Sequence, residues 1–359
     1  MAAPNIIDIE ELIKSKGHHT VLYINYDNEA FQNTGIQESG STPFGAHTTT
    51  SPGGKAIKGK VGIKQDILNP FAFLGHKCAF IATASIAYPI DFMGKVIEAM
   101  KTPGGGFIQI FAPCPRGWRH DAQKSIEIAK LAVDSGYWPL ITIRVKDGQP
   151  KYSYSRPLKF DREKVEQLIK MQGKFAHLFK PAFLEENINE IIRQAEHRFN
   201  NIQNLVDKFA AEKPMDTYKL SMMKVPDQQL IASGHGLCPG CGAGSFLNQL
   251  ASAVYYAAKD NVIFVNNTSC VEVSTSKDNT PSWMATWVHQ LFESGSTVAD
   301  AIAVAFRIQK NKGLYNEEVP YVIHIGGDGS TYDIGYQFLK SSLVRSCSYD
   351  IQSENLKLE

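Results

Sequence analysis

The stretch Gly326-Gly327-Asp328-Gly329-Ser330 limits what this chain can be more than any other. It is a glycine-rich turn between an apolar strand at 321–325 and a helix predicted to start near Tyr332. Glycines let the backbone come close to phosphate oxygens, and a helix N-terminus favours negative charge. A carboxylate on such a turn is therefore placed to grip a divalent cation carrying a diphosphate. One Asp does not complete the site, because magnesium takes about six oxygens, and further protein oxygens are expected from the next strand of the same sheet. After Arg345 only a polar tail follows, so that strand has to be sought elsewhere in the chain.

With 359 residues, 43% of them hydrophobic, the chain can bury a real core as one large domain or two smaller ones. A formal net charge of +1, with Lys and Arg scattered, gives no electrostatic argument for nucleic acid or an anionic membrane. No apolar run reaches the roughly 18 residues of a membrane span, and residues 1–16 lack a basic segment followed by an apolar core. The expected location is the cytoplasm. Six cysteines, two of them in a Cys-x-x-Cys pair, suit metal or redox chemistry better than a secreted disulfide framework.

Along the chain, an amphipathic helix is predicted at 8–16, then a buried parallel strand at 20–24 that delivers Asn25-Tyr26-Asp27-Asn28-Glu29-Ala30 to its carboxyl end. Open α/β sheets bind their ligands at such ends. Residues 37–64, rich in Gly, Ser, Thr and Pro, read as an ordered loop over the site. Strand–helix units follow at 78–83 with 89–101 and at 107–111 with 121–135, and a third strand at 140–145. Beyond an extended segment at 151–158 come helices at 162–172 and 185–208, whose Leu168, Ile169, Ile188, Ile191 and Ile192 must pack on the core or on a partner. A linker at 212–223 precedes a helix ending near Ala258, a strand at 262–265, a helix at 294–309 and the opening strand. The alternation predicts a doubly wound, mainly parallel α/β sheet with a helical arm. Its organisation is 17–150 and 224–345 as two halves of one domain, 151–211 as the arm, 212–223 as the linker and 346–359 as a tail.

Cys238-Pro239-Gly240-Cys241 by itself is ambiguous between a dithiol redox pair and half a zinc site. His47, His289 and His324 have no ligand spacing and read as structural. Trp118, Trp138, Trp283 and Trp287 read as core or subunit interface, Cys78 as core and Cys347 as tail.

Several motifs together resemble the thiamine-diphosphate-binding β subunit of 2-oxoacid:ferredoxin oxidoreductases, most closely the pyruvate enzymes. They are His235-Gly236-Leu237-Cys238-Pro239-Gly240-Cys241-Gly242, Cys270-Val271-Glu272-Val273, Trp287-Val288-His289 and Gly326-Gly327-Asp328-Gly329 with Asp333-Ile334-Gly335. The front half adds Tyr26-Asp27-Asn28-Glu29-Ala30, Asn33-Thr34-Gly35, Ala82-Thr83-Ala84-Ser85-Ile86-Ala87-Tyr88-Pro89, Ala112-Pro113-Cys114-Pro115 and Gly136-Tyr137-Trp138-Pro139-Leu140. Their order departs from the family, where the Cys-x-x-Cys segment comes first and the Asp-Asn-Glu segment follows the Gly-Asp-Gly turn. Joining Arg345 to Gly17 restores that order and the family's interval between its two metal-binding motifs, so circular permutation is the expectation. A wrongly merged gene, giving a non-functional fusion product, is the competing one.

The resemblance implies a magnesium ion held by the Asp328 carboxylate, the Asn28 amide oxygen and the Ala30 carbonyl, with Gly329 at the turn. Thr34 and Ser330 would be diphosphate donors, and Asn33 an active-site amide near the reacting carbon. It also implies a [4Fe-4S] cluster on Cys238, Cys241, Cys270 and Cys114, Cys270 standing close to the cofactor as well. Four-thiolate zinc is the alternative. The implied activity is oxidative decarboxylation of pyruvate to acetyl-coenzyme A with electrons passed to ferredoxin, or the same chemistry on a branched-chain, aromatic or oxalate-type 2-oxoacid. In the family the Glu that activates thiamine comes from the α subunit, and γ and δ subunits complete the assembly, so the chain alone is expected to bind cofactors without turning over.

Overall fold

The structure, a computed structural model, describes residues 21–54, 58–65, 78–146, 149–181, 183–211, 230–276 and 282–348. The helix expected at 8–16, the linker at 212–223 and the end of the tail lie outside the described residues. Eight strands form one sheet: β1 (Val21–Asp27), β2 (Phe80–Ser85), β3 (Gly106–Phe111), β4 (Ile141–Lys146), β5 (Gln149–Tyr154), β6 (Val262–Asn267), β7 (Thr286–Gln290) and β8 (Tyr321–Gly326). Their order is β5-β4-β2-β3-β1-β8-β6-β7. The first described strand thus pairs in parallel with the last, Asn25 opposite Gly326, in the interior of the sheet. The strand expected beside the glycine turn is supplied by the front of the chain.

Both faces of β1 are covered, which explains its continuous apolar run. Leu22, Ile24 and Tyr26 enter one core with Phe92, Val96, Phe246 and Leu250, carried by helices α1 (Pro89–Lys101) and, further along the chain, α6 (Gly242–Ala258). Val21 and Tyr23 enter the other, with Val322, Ala299, Leu339 and Leu343, under α8 (Gly295–Asn311) and α10 (Tyr336–Ser348). α1 has Pro at its start, Asp91 in its first turn and Lys101 in its last, each favourable to the helix dipole. β1 runs beyond the predicted 20–24 and includes Asn25, Tyr26 and Asp27, because all three are buried and Asp27 finds donors on the sheet face.

β4, predicted as one more strand of the parallel run, is antiparallel to β2 and forms an antiparallel pair with β5, the predicted extended segment. After α2 (Pro115–Trp118), a short 3-10 turn at Ala122–Lys124 and α3 (Ser125–Asp134), the chain is pinned at the carboxyl half of β2. Thr83 Oγ1 donates to the Pro139 carbonyl at 2.6 Å and accepts from Ile141 N at 2.9 Å, and Trp138 Nε1 donates to the Ala84 carbonyl at 2.8 Å. Re-entering at that end, the strand can only run back.

The arm consists of α4 (Arg162–Lys170), a 3-10 segment at Gly173–Leu178 and α5 (Glu185–Lys208). Its Leu168, Ile169, Ile188, Ile191 and Ile192 are buried in the main core, so the core is what they pack on. α7 (Cys270–Thr275) and edge strand β7 were not expected from the sequence. The helix predicted near Tyr332 is instead α9 (Asp328–Tyr332), starting on the Asp itself, and α10 beyond a break at Asp333. No helix among the described residues is long and apolar enough to cross a membrane.

Candidate functional site

Three neighbouring parallel strands, β1, β8 and β6, release their carboxyl ends at one edge. β1 leads into Asn28-Glu29-Ala30, β8 into Gly327-Asp328-Gly329, and β6 into Thr268-Ser269-Cys270. Between them a cleft is lined by Asn28, Ala30, Asn33, Thr34, Cys270 and Gly329, together with neighbouring aromatic rings. Residues predicted from both ends of the chain therefore meet in one place.

Two aspartates stand at this edge, and their hydrogen bonds distinguish them. Asp27 is saturated: Oδ1 accepts from Ser41 Oγ at 2.5 Å and Glu29 N at 3.1 Å, and Oδ2 from Lys64 Nζ at 2.8 Å, Gln109 Nε2 at 2.9 Å and Tyr332 Oη at 3.2 Å. Asp328 Oδ2 accepts from Ser39 Oγ at 2.6 Å, while the buried Oδ1 has no partner among the described residues. Burial, and then the neighbouring Asp27 charge, push the Asp328 carboxyl well above the usual carboxylate range. A buried acceptor left without a partner is costly, and a cation bound there would relieve both the cost and the upward shift. One carboxylate oxygen without a partner among the described residues, on the residue before the cleft-lining Gly329, suits a magnesium ion that also carries a diphosphate.

The other predicted residues are placed as follows. Asn28 and Ala30 are buried, and the Asn28 carbonyl accepts from Trp118 Nε1 and Gln32 Nε2, both at 2.7 Å. Asn33 and Thr34 are exposed on the cleft wall. The Thr34 hydroxyl bonds Gln37 Oε1 at 2.6 Å, and the buried Ser330 hydroxyl donates to the Gly327 carbonyl at 3.0 Å. Either would have to rotate to donate to a phosphate.

The cysteines are drawn together by backbone contacts. Gly242 N donates to the Pro113 carbonyl at 2.9 Å, and Ser125 Oγ to the Gly240 carbonyl at 2.5 Å, docking the Cys-Pro-Gly-Cys loop on the segment that carries Cys114. Gly240 has φ +68, and a Cβ there would stand 2.2 Å from the Ala122 carbonyl oxygen, so this approach requires glycine. Cys270 opens α7, capped by Ser269. Burial, followed by the neighbouring Cys241 and Cys238, pushes the Cys114 thiol up to about 11. Burial and then Cys114, Cys241 and Cys238 push Cys270 higher still. Cys241 is raised by burial. Such thiols are poor redox nucleophiles, which need a lowered pKa, but become thiolates when a cation compensates them. Among the described residues, no three His, Cys, Asp or Glu side chains are close enough to hold a single metal ion. Cys78 is buried and donates to the Gly105 carbonyl, a core role.

Sequence reasoning missed the charged cluster beneath the site. Glu29 is fully buried against Lys64, 3.2 Å away, and against Lys174 from the arm. Burial alone would raise its carboxyl, but the two ammonium groups outweigh this and hold it at about 2. Only a lysine isolated inside a loop or arm could have hinted at this, and the chain holds many. His289, expected to be structural, has Nδ1 3.3 Å from Glu272 and Nε2 3.2 Å from Thr268 Oγ1. His324 is buried against Asn267. Trp118, Trp138 and Trp283 are core residues.

No protein-family model matches the chain. It is 40% identical over 191 residues to the ketoisovalerate oxidoreductase subunit VorB of Pyrococcus horikoshii, covering 53% of this chain and 58% of that protein. It is 42% identical over 187 residues to the pyruvate synthase subunit PorB of Pyrococcus furiosus (48% and 56%). With the pyruvate synthase subunit PorB of Thermotoga maritima it shares 39% over 198 residues (55% and 58%). The chain spans somewhat over half the length of the curated relatives it matches.

Proposed function

We propose that this chain is a circularly permuted β-type subunit of a 2-oxoacid:ferredoxin oxidoreductase, binding magnesium thiamine diphosphate and a [4Fe-4S] cluster. The observation that carries the proposal is the buried Asp328, with one oxygen unpartnered among the described residues, at the end of a strand paired to the one that leads into Asn28 and Ala30. That pairing supports permutation over a fusion whose halves ignore each other. The resemblance of about 40% to pyruvate and ketoisovalerate subunits supports the substrate class.

Asp328, Asn28 and the Ala30 carbonyl would hold the metal, and Cys238, Cys241, Cys270 and Cys114 the cluster. Thiamine diphosphate, when bound, supplies the nucleophile for the 2-oxoacid carbonyl, a chemistry that belongs to the cofactor. The chain's own part is to neutralise the diphosphate through the metal, to offer the exposed Asn33 amide on the cleft wall, and to keep the buried Asp27 out of competition by saturating it. Cys270, lining the same cleft, keeps the path for electrons short. Ferredoxin, coenzyme A and the α, γ and δ subunits are the partners of this reading, and the cytoplasm its location. Pyruvate is the first substrate to test. Ketoisovalerate is the second reading, favoured by the VorB relatives.

The test is reconstitution of the purified chain with iron, sulfide, magnesium and thiamine diphosphate. About four irons and one thiamine diphosphate per chain are expected. Zinc in place of iron, or no thiamine diphosphate bound, would overturn the reading. Coenzyme-A-dependent pyruvate oxidation by the isolated chain would refute the need for a partner.

A further inference from the structure

Glu29 stands between two proposed magnesium ligands and is itself left-handed, with φ +62. For a residue other than glycine this conformation is uncommon and persists only when its surroundings over-determine it. Here every polar group of the residue is held. Its amide donates to Asp27 Oδ1 at 3.1 Å, and its carbonyl accepts from Thr42 Oγ1 at 2.7 Å. Its carboxylate takes Lys174 Nζ on one oxygen, and Lys64 Nζ at 3.2 Å and Tyr137 Oη at 3.3 Å on the other.

The side chains of Glu29, Lys174 and Lys64 are only 1%, 4% and 7% exposed. Asn28 and Ala30 line the cleft while Glu29 between them is turned inward to the cations. Lys174 reaches the same turn by a second route. Its ammonium lies 3.8 Å from the centre of the Trp118 ring, and Trp118 donates to the Asn28 carbonyl. Lys174 is carried by the arm, where its own carbonyl accepts from His47 N at 2.8 Å.

We infer that Lys174 is a positioning residue for the cation site: through Glu29 and Trp118, the arm holds the Asn28–Ala30 turn, with Glu29 left-handed, so that Asn28 and Ala30 line the cleft that Gly329 also lines. A buried, fully hydrogen-bonded charge cluster of this kind is weak evidence for stability and better suited to fixing geometry. The inference rests on the proposed magnesium site, and its test separates the two.

The probe is manganese in place of magnesium, titrated by electron paramagnetic resonance into the full chain with saturating thiamine diphosphate, alongside thermal melts. Lys174→Met and Glu29→Gln are each expected to weaken manganese binding about tenfold or more, with Lys174→Arg recovering most of it. The double variant Glu29→Gln with Lys174→Met leaves no uncompensated buried charge, and it is expected to fold while still binding weakly. Leu343→Ala, in the opposite core, serves as a variant of lowered melting temperature. The inference is overturned if the Lys174 variants melt lower yet bind manganese like the parent, or if Leu343→Ala weakens binding equally. If the parent chain itself does not bind manganese with thiamine diphosphate, the magnesium site is wrong and the inference falls with it.

Discussion

Ser39 Oγ donates a 2.6 Å hydrogen bond to Asp328 Oδ2 across 289 positions of the chain. This bond fixes the rotamer of the Asp on the glycine turn by a loop from the opposite end of the sequence. It also occupies one carboxylate oxygen and leaves the other without a partner among the described residues. The glycine turn alone could orient a backbone, but it could not choose which oxygen is available.

Asp328→Asn is therefore expected to abolish magnesium-dependent thiamine diphosphate binding. In the metal-free chain it should not lower stability, since the neutral amide can keep the Ser39 bond and carries no desolvated charge beside Asp27. Calorimetric titration and thermal melts in chelator measure the two effects, and a lowered melting temperature would argue against the cost assigned to Asp328.

Replacing Cys114, Cys238, Cys241 or Cys270 by Ser should each reduce bound iron by at least about half and bleach the visible spectrum, whereas Cys78→Ser should leave both unchanged. In the unreconstituted chain, the exposed Cys238 should be alkylated first, with Cys114, pushed up to about 11, much slower. Mass-spectrometric labelling at neutral pH gives the order.

Burial depresses the His324 imidazole from 6.5 to about 3. Between those values the unfolded chain binds a proton that the folded chain refuses, so stability falls as pH falls through that window and is fully regained above 6.5. His324→Gln can keep the contact to Asn267 without titrating. Melting temperatures between pH 4 and 7 should fall more gently for the variant, by a difference on the order of a few °C at the acid end.

Because β1 and β8 pair in the sheet interior, the chain should unfold in one cooperative transition rather than two. Rejoining the sequence so that 224–345 precedes 17–211 should preserve the fold and the manganese affinity. Two separate transitions in the native chain, or loss of folding in the rejoined one, would count against permutation.

Much of this molecule was legible in the sequence because the signals are local. Continuous apolar runs such as 321–325 mark strands covered on both faces. Pro89 and Lys101 bracket a helix, and the glycine turn carrying Asp328 marks the end of a strand. The family resemblance, through the order of its motifs, pointed to the front of the chain for the neighbouring strand. What periodicity could not give was β7, a half-exposed edge strand, or the antiparallel return of β4, which depends on Thr83 pinning a segment far along the chain.

The larger gap concerns charge. The sequence singles out Asp328 by its glycine turn but says nothing of how Asp27 is held, and Lys64 and Lys174 are two lysines among many. Only the tertiary structure gives Asp27 five donors, leaves an oxygen of Asp328 without a partner among the described residues, and buries Glu29 between two ammonium groups. The physical reason is that a side chain's ionisation and free lone pairs are set by competition among donors brought together by folding. The sequence by itself determined most of the strands, the turn and the thiol pair, and the packing decided which carboxylate oxygen is left without a partner among the described residues.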